Sequence, residues 1–410
     1  MRLSKKESSV ITIIGCIFVQ VCAGIIYVWS VMKTASMDYY GWDSGAVNLV
    51  SSFNLLCFSL GNFFGGALND RIGPKKVNIM GCLMLGAGIL LSSFIKDTGK
   101  ISVFYITYCV IGGLGAGFAY GSNVSCLQKW LPHKLGLATG IATSAFGLST
   151  VIFAPVITRL LLIMEMPSML RTLAAVFLVI GLFSCLFVKL PSAEYLSRFL
   201  IGQGGTVGPK DIPLGRAVKF PVFWVIFFFI FFYNGTWNMM LPILKTLGMD
   251  RGLTDALAVT LVSLTGVTNT FGRFAVAAVS DKLGRPGTLV TLATLVGICA
   301  LLFTFVGSVG YMAAALLCAF AVGGQAGMNP ALTSDFFGIK YSGANYGIIM
   351  ISIGMSSVVF NAISNKMVYM TDSYVLTFIM GAATAATAVI LMLITGRALK
   401  KKRAADMAGE

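Results

Sequence analysis

The chain has 410 residues, of which 57% are hydrophobic and 11% charged, and its mean hydropathy is +0.87. A soluble domain of this length needs more charge on its surface, so the composition excludes a soluble enzyme and predicts a polytopic helical membrane protein. The net charge of +15 lies in short segments between apolar runs, so we assign it to membrane topology and not to nucleic-acid binding.

Twelve apolar segments are each long enough to cross a bilayer. Their approximate limits are 10–32, 45–68, 76–95, 102–128, 135–163, 170–190, 220–244, 255–280, 287–308, 310–334, 342–365 and 373–395. A long connection containing Gly202-Gln203-Gly204-Gly205 separates two sets of six. The fold class that we predict is an all-α polytopic membrane protein of two pseudo-symmetric bundles. Its predicted parts are a first bundle (1–190), a cytoplasmic linker (191–219), a second bundle (220–396) and a cytoplasmic tail (397–410).

The basic residues predict the orientation of the spans. The side that holds both termini and the linker carries 21 Lys and Arg, and the other side carries 8. This asymmetry predicts a multi-pass protein of the cell (inner or plasma) membrane with both termini in the cytoplasm. We expect a monomer surrounded by the lipid bilayer.

The residues that bind metals are sparse. His133 is the single histidine, and the nine cysteines form no CxxC pair. We therefore predict no metal site, disulfide framework or cofactor. The sequence also lacks a G-x-x-x-x-G-K-[ST] motif, which argues against a primary pump.

The two halves of the chain repeat one another. Gly66-Ala67-Leu68-Asn69-Asp70-Arg71-Ile72-Gly73 is echoed 211 residues later by Ala277-Ala278-Val279-Ser280-Asp281-Lys282-Leu283-Gly284. Gly121-Ser122-Asn123 matches Gly327-Met328-Asn329 at an offset of 206. Parallel repeats of this kind predict a binding site near the bilayer midplane and alternating access.

One basic residue lies inside an apolar span. Arg273 stands eight residues before the polar end of its span at Asp281. That is roughly 12 Å, too far for the side chain to reach the headgroups. A guanidinium in lipid costs at least about 2.5 kcal/mol, so it should face a polar cavity or a partner. All 15 acidic residues fall in predicted loops, tails or span ends, and we therefore predict an anion site at Arg273.

Two segments resemble the loop signature of the major facilitator superfamily. The stronger is Asp70-Arg71-Ile72-Gly73-Pro74-Lys75-Lys76, and its weaker copy is Asp281-Lys282-Leu283-Gly284-Arg285. In that superfamily these loops lie on the cytoplasmic side and stabilise the outward-open state. The resemblance therefore implies conformational roles for Asp70, Arg71, Asp281 and Arg285.

A finer resemblance, covering nearly the whole chain, is to the oxalate/formate antiporter family and its monocarboxylate-transporting relatives. It is carried by Gly24-Ile25-Ile26-Tyr27-Val28-Trp29-Ser30, Tyr120-Gly121, Lys129-Trp130-Leu131-Pro132, Gly272-Arg273 and Asn345-Tyr346-Gly347. The resemblance implies an anion carrier in which Arg273 binds the carboxylate of the substrate, with Tyr27 and Tyr120 in the pocket.

Departures from the oxalate carrier bear on the substrate. Its second cation corresponds here to Ile353, and its span-ten aromatic pair to Val322 and Ala326. Oxalate would leave about one negative charge uncompensated beside a single buried cation, which is unfavourable in a low-dielectric cavity. A monoanion leaves none.

The candidates for proton coupling are Asp250 and Asp255, because the position used in some of the resembling carriers is uncharged here. Some of the resembling monocarboxylate carriers have an aspartate one turn before the arginine, where this chain has Asn269, whose amide can donate to the same carboxylate. Asp250 and Asp255, near the outer end of span eight, are alternative proton acceptors, against an ordinary role as solvated loop residues.

Further polar and aromatic residues at membrane depth are candidates for the site or for contacts between helices. They are Asn123, Trp237, Asn238, Gln325, Asn329 and Tyr346. We predict a secondary or facilitative carrier of small monocarboxylates such as lactate, pyruvate or formate, without catalytic residues. The alternatives are an oxalate/formate-type dicarboxylate exchanger and a carboxylate sensor that does not transport.

Overall fold

The structure is a computed structural model that describes residues 5–96, 100–192, 194–195 and 211–408. Within these ranges the secondary structure is helical and includes no β-strand. Twelve long helical segments follow in the predicted order, and we number them spans 1 to 12. Their bounds are Ser9–Tyr40, Gly45–Ile72, Pro74–Ser92, Ile101–Trp130, Leu135–Ile163, Met166–Cys185, Pro221–Asp250, Asp255–Leu283, Arg285–Phe305, Ser308–Phe337, Ser342–Thr371 and Val375–Arg397.

Eleven of the described spans are long and apolar enough to cross a membrane, and span 8 is not among them. Span 8 has sufficient length, at 29 residues. Its composition differs, because Asn269, Arg273 and a series of hydroxyl side chains replace apolar residues. The least apolar of the twelve spans is therefore the one that carries Arg273.

Several predicted limits are wrong because hydropathy follows composition and not hydrogen bonding. Span 1 was expected to end near residue 32, but its helix continues past Lys33 to Tyr40. Span 6 was expected to reach residue 190, but it ends at Cys185. The apolar residues after Cys185 turn away through hydrogen bonds between residues three apart.

Three spans contain a turn that is not α-helical. Span 1 has a 3₁₀ turn at Gly24–Val28, and span 7 has one at Leu241–Ile243. Span 4 contains a π-helical segment at Tyr105–Gly112. The first of these turns contains Tyr27, so the local backbone geometry determines where that side chain projects.

Equivalent glycines end spans 2 and 8. Gly73 has φ of 85° and Gly284 has φ of 86°, a left-handed conformation that side-chain-bearing residues rarely adopt. In each case the next span begins at the following residue. The loop signature thus folds in the same way in both copies.

The chain divides into two compact units. The first unit comprises Met1–His133, Ile141–Leu200 and Ile339–Gly354, and the second comprises Lys134–Gly140, Ile201–Gly338 and Met355–Glu410. The start of span 5 thus belongs to the second unit and the start of span 11 to the first. Residues 202–205 of the predicted linker and the last two residues of the predicted tail lie outside the described residues. The predicted domain boundaries stay predictions.

Candidate functional site

Arg273 is buried in the C-terminal half of span 8, with 7% of its surface exposed. Its Nε donates a hydrogen bond to Oδ1 of Asn269 at 3.0 Å. Residues four apart in a helix lie on one face, which explains why these two side chains meet. The guanidinium therefore has a neutral amide as the acceptor for one of its five N–H groups.

Asn269 is itself fixed by the neighbouring span. Its Nδ2 donates to the carbonyl oxygen of Ala319 in span 10 at 3.1 Å. Both ends of the Asn269 amide are thus engaged, one by Arg273 and one by the backbone. This arrangement orients the Arg273 side chain toward the N-terminus of span 8, the direction that helical side chains favour. The role of Asn269 as a substrate ligand stays a prediction.

Glycines bring spans 8 and 10 into backbone contact at the level of Arg273. A Cβ added to Gly323 would lie 2.0 Å from the carbonyl oxygen of Asn269, and one added to Gly327 would lie 2.3 Å from that of Arg273. The two glycines form a G-x-x-x-G motif, which permits close approach of membrane helices. Our sequence analysis missed this feature, although the spacing of the two glycines was readable.

Span 5 covers another part of span 8 within the second unit. A Cβ added to Gly136 would lie 2.1 Å from the carbonyl oxygen of Ala277, and one added to Gly140 would lie 3.1 Å from that of Arg273. The C-terminal part of the span 8 face that carries Arg273 is therefore packed against protein. This packing agrees with the requirement that a buried guanidinium face protein or a polar cavity.

Two predicted site amides in span 10 are fully buried. No hydrogen-bond partner in the described part of the chain reaches either side-chain polar atom of Gln325 or of Asn329. Asn238 instead donates to the hydroxyl of Ser356 at 3.2 Å, and Trp237 beside it is half-buried. In the second unit the structure thus joins Arg273 to Asn269, and it gives Asn238 a different partner.

The two predicted tyrosines lie in the first unit and share a neighbour. The ring of Tyr27 packs edge-on against Phe146 at 5.3 Å, and the ring of Tyr120 does so at 4.9 Å. Tyr120 is buried, whereas Tyr27 is 38% exposed. Phe146 therefore links the two tyrosines, and our sequence analysis did not single it out.

Asn123 and Tyr346 also lie in the first unit. Asn123 accepts a hydrogen bond from Nδ2 of Asn78 at 2.7 Å. The buried hydroxyl of Tyr346 donates to the sulfur of Met350 at 3.1 Å. The pairing of Asn123 was missed, because our sequence analysis did not single out Asn78 in span 3.

The profile of the Major Facilitator Superfamily matches residues 13–361. The chain belongs to the Major Facilitator Superfamily. It is therefore a multi-pass membrane protein of a transporter family, with the all-helical fold that the sequence predicted.

Named relatives of this superfamily protein differ in their cargo. The oxalate:formate antiporter of Oxalobacter formigenes is 26% identical over 343 residues, covering 82% of this chain and 79% of the relative. Apicoplast pyruvate carrier 1 of Toxoplasma gondii is 21% identical, covering 94% and 88%. The outward-conformation crystal structure of the transporter FucP has a TM-score of 0.72 at 15% identity and covers 95% of this chain and 99% of its own, which shows the fold alone.

The first superfamily loop places Asp70 against the start of span 11. The Asp70 carboxylate accepts a hydrogen bond from the backbone N–H of Ala344 at 3.0 Å and lies 3.5 Å from the ammonium of Lys129. A carboxylate at a helix N-terminus is favoured by the helix dipole. Arg71 is exposed.

The second loop repeats this arrangement with more contacts. The Asp281 carboxylate accepts hydrogen bonds from the backbone N–H groups of Gly136, at 2.8 Å, and Leu137, at 3.1 Å. Arg285 pairs with Asp281 at 2.7 Å and with Asp335 at 2.5 Å. In both loops an acidic residue holds the start of another span. The conformational roles of these residues stay predictions.

Asp250 and Asp255 lie at the ends of spans 7 and 8. Both are exposed, and Asp255 forms an ion pair with Lys245 at 2.7 Å. Exposed pairs of this kind contribute little to stability. Proton coupling through either residue stays a prediction.

Proposed function

We propose that this superfamily member carries small monocarboxylates such as lactate, pyruvate or formate across the membrane by alternating access, without converting them. The observation that carries the proposal is the buried guanidinium of Arg273, whose Nε is held by the neutral Asn269. A carboxylate carries the charge opposite to that of a guanidinium and matches its planar N–H groups.

The hydrogen bond from Nε favours a defined binding geometry. Because Asn269 is anchored to Ala319, it holds the guanidinium plane in one orientation. Because the guanidinium is already oriented, the Arg273 side chain loses less conformational entropy when a carboxylate binds. Arg273 is therefore suited to binding one carboxylate specifically, which a flexible lysine would do less well.

The number of charges favours a monoanion. Ile353, at the place of the second cation of the resembling oxalate carrier, is apolar and half-buried. Val322 and Ala326 replace the aromatic pair of that carrier. Apicoplast pyruvate carrier 1 is named for a monocarboxylate, and its similarity extends over 94% of this chain, which supports the comparison.

The other predicted site residues complete this proposal. We propose Tyr27 and Tyr120 as pocket walls that offer hydroxyl donors. The buried amides of Gln325 and Asn329 are further candidates, because buried polar groups need hydrogen-bond partners. We also propose that the protein is a monomer in the cell membrane with both termini in the cytoplasm.

Uptake by purified protein in liposomes tests the proposal. We expect saturable uptake of labelled lactate, pyruvate or formate, and a fall of about a hundredfold in Arg273→Gln, the scale for removing one partner of a buried charge pair. Arg171→Gln is the matched control, because Arg171 is exposed. Equal uptake by wild type and Arg273→Gln would remove the site assignment.

A second candidate is oxalate/formate exchange, favoured by the antiporter relative of Oxalobacter formigenes. It requires a residue other than Ile353 to compensate the second carboxylate. Oxalate counterflow that exceeds lactate uptake in the same liposomes would favour exchange over monocarboxylate transport.

A further inference from the structure

Gly266 is a glycine in the middle of a span that helix packing does not explain. A Cβ added to Gly266 would meet nothing within 4 Å. Gly272 and Gly327, which also lie well inside their spans, each have a neighbour that a Cβ would contact. Glycine is a poor helix former, so an interior glycine without a packing role calls for another explanation.

Gly266 lies on the same face of span 8 as Arg273. The two residues are seven positions apart, which is two helical turns. Because Nε of Arg273 bonds to Asn269, the guanidinium lies near the level of Asn269. The remaining axial distance to Gly266 is roughly 4.5 Å, three residues along the helix.

The face of span 8 that carries Gly266, Arg273 and Ala277 is packed against protein at one end and borders open space at the other. At its C-terminal end, Gly136 packs on Ala277 and Gly140 on Arg273. Two turns earlier, at Gly266, the same face borders open space. A molecule held by the guanidinium therefore has protein on one side and room on the side of Gly266.

We propose that Gly266 determines substrate size, because the space beside it receives the carbon chain of the carboxylate that Arg273 binds. This inference rests on the proposed function. An unbranched chain of five carbons extends roughly 5 Å beyond its carboxylate carbon, far enough to reach Gly266, whereas formate has no chain. Gly266 thus discriminates among monocarboxylates by length.

The test measures chain-length selectivity in Gly266→Ala and Gly266→Val. Valine keeps its methyl groups close to the backbone and so fills the space beside residue 266 itself. Unlabelled formate, acetate, propionate, butyrate and valerate compete with labelled lactate for uptake into liposomes. We expect the valerate-to-formate affinity ratio to fall at least about tenfold in Gly266→Val, with a smaller fall in Gly266→Ala.

The matched control is Gly287→Val in span 9, because a Cβ at Gly287 also meets nothing within 4 Å. This control should change the ratio by less than about twofold. Gly266→Ala improves helix propensity and should fold with an unchanged or higher melting temperature. An unchanged ratio in Gly266→Val that melts like wild type would overturn the inference, as would an equal loss of affinity for all five acids. Failure of the proposed function is distinct: it appears as absence of Arg273-dependent uptake in the wild-type protein.

Discussion

Spans 2 and 4 of the first unit and spans 8 and 10 of the second are two copies of one helix pair with different chemistry. The repeat offset of 211 residues places Asn62 at the position of Arg273, and the offset of 206 places Gly121 at the position of Gly327. Gly121 packs on Asn62 as Gly327 packs on Arg273. The backbone contact is shared, whereas the side chain that it presents is neutral in one copy and cationic in the other.

The polar residues of the two copies differ as well. Asn123 is hydrogen-bonded to Asn78, but the repeat gives Asn329 a leucine, Leu289, at the place of Asn78. Asn329 lacks a hydrogen-bond partner within the described chain. Buried amide atoms without a partner in the described chain occur in both copies, on Asn62 in the first and on Asn329 in the second. What distinguishes the second copy is the cation at Arg273 with its hydrogen bond to Asn269.

The largest effect is expected from placing a carboxylate beside Arg273 in the second copy. The repeat places Phe58 at the position of Asn269, so the amide beside Arg273 belongs to the second copy alone. In Asn269→Asp, a carboxylate within reach of Nε neutralises the guanidinium and competes with substrate. We expect lactate uptake at neutral pH to fall about a hundredfold.

The diagnostic measurement for Asn269→Asp is lactate uptake as a function of pH. Protonation of the introduced carboxylate should restore uptake as the pH falls, whereas Asn269 cannot titrate. Asn269→Ser, which adds no charge, is the control. Uptake by Asn269→Asp that stays low at every pH at which wild type is active would contradict this explanation.

A smaller effect is expected from filling the shared glycine contact. In Gly327→Ala the new methyl group would lie 2.3 Å from a backbone oxygen, so the helices must separate. We expect a loss of about 2 kcal/mol in the free energy of unfolding. In Gly121→Ala the nearest atom, at 2.4 Å, is the side-chain oxygen of Asn62, which can rotate away.

The loss for Gly121→Ala should therefore be below about 1 kcal/mol, as for many tolerated substitutions. Thermal unfolding of both variants in detergent compares the two copies directly. Equal losses would mean that the two helix pairs are packed alike despite their different neighbours.

The smallest effect concerns the buried amides. Asn123→Leu strands the donor of Asn78 and should cost about 1 kcal/mol. Asn329→Leu removes an amide whose polar atoms have no partner in the described chain, so its unfolding free energy should change by less than about 0.5 kcal/mol. Reduced uptake by Asn329→Leu at unchanged stability would place that amide at the substrate. A clear loss of stability would instead indicate a structural role.

The fold was predictable because its signals are local. Span length follows from the thickness of the bilayer, and the duplicated loops are marked by glycines that need positive φ at residues 73 and 284. Arg273 stood out because an apolar span rarely contains a charge. Each of these features can be recognised from a short stretch of sequence.

The partners of the site residues were not predictable, because they depend on contacts between distant segments. Asn78 and Asn123 are 45 residues apart, and Asn269 and Ala319 are 50 apart. Hydropathy and motif spacing contain no information on which helix faces meet, so single-sequence reasoning identified residues without their neighbours.

The weak hydropathy of span 8 has a consequence for biosynthesis. On emerging from the ribosome, this segment is a poor candidate for stable residence in lipid by itself. Its closest support, the glycine surface of span 10 and the carbonyl group of Ala319, is synthesised some 50 residues later. At about 5–20 residues per second this delay lasts roughly 3–10 s, during which the nascent segment depends on the insertion machinery. Substitutions that weaken span 10 should therefore lower the yield of inserted protein before they affect transport.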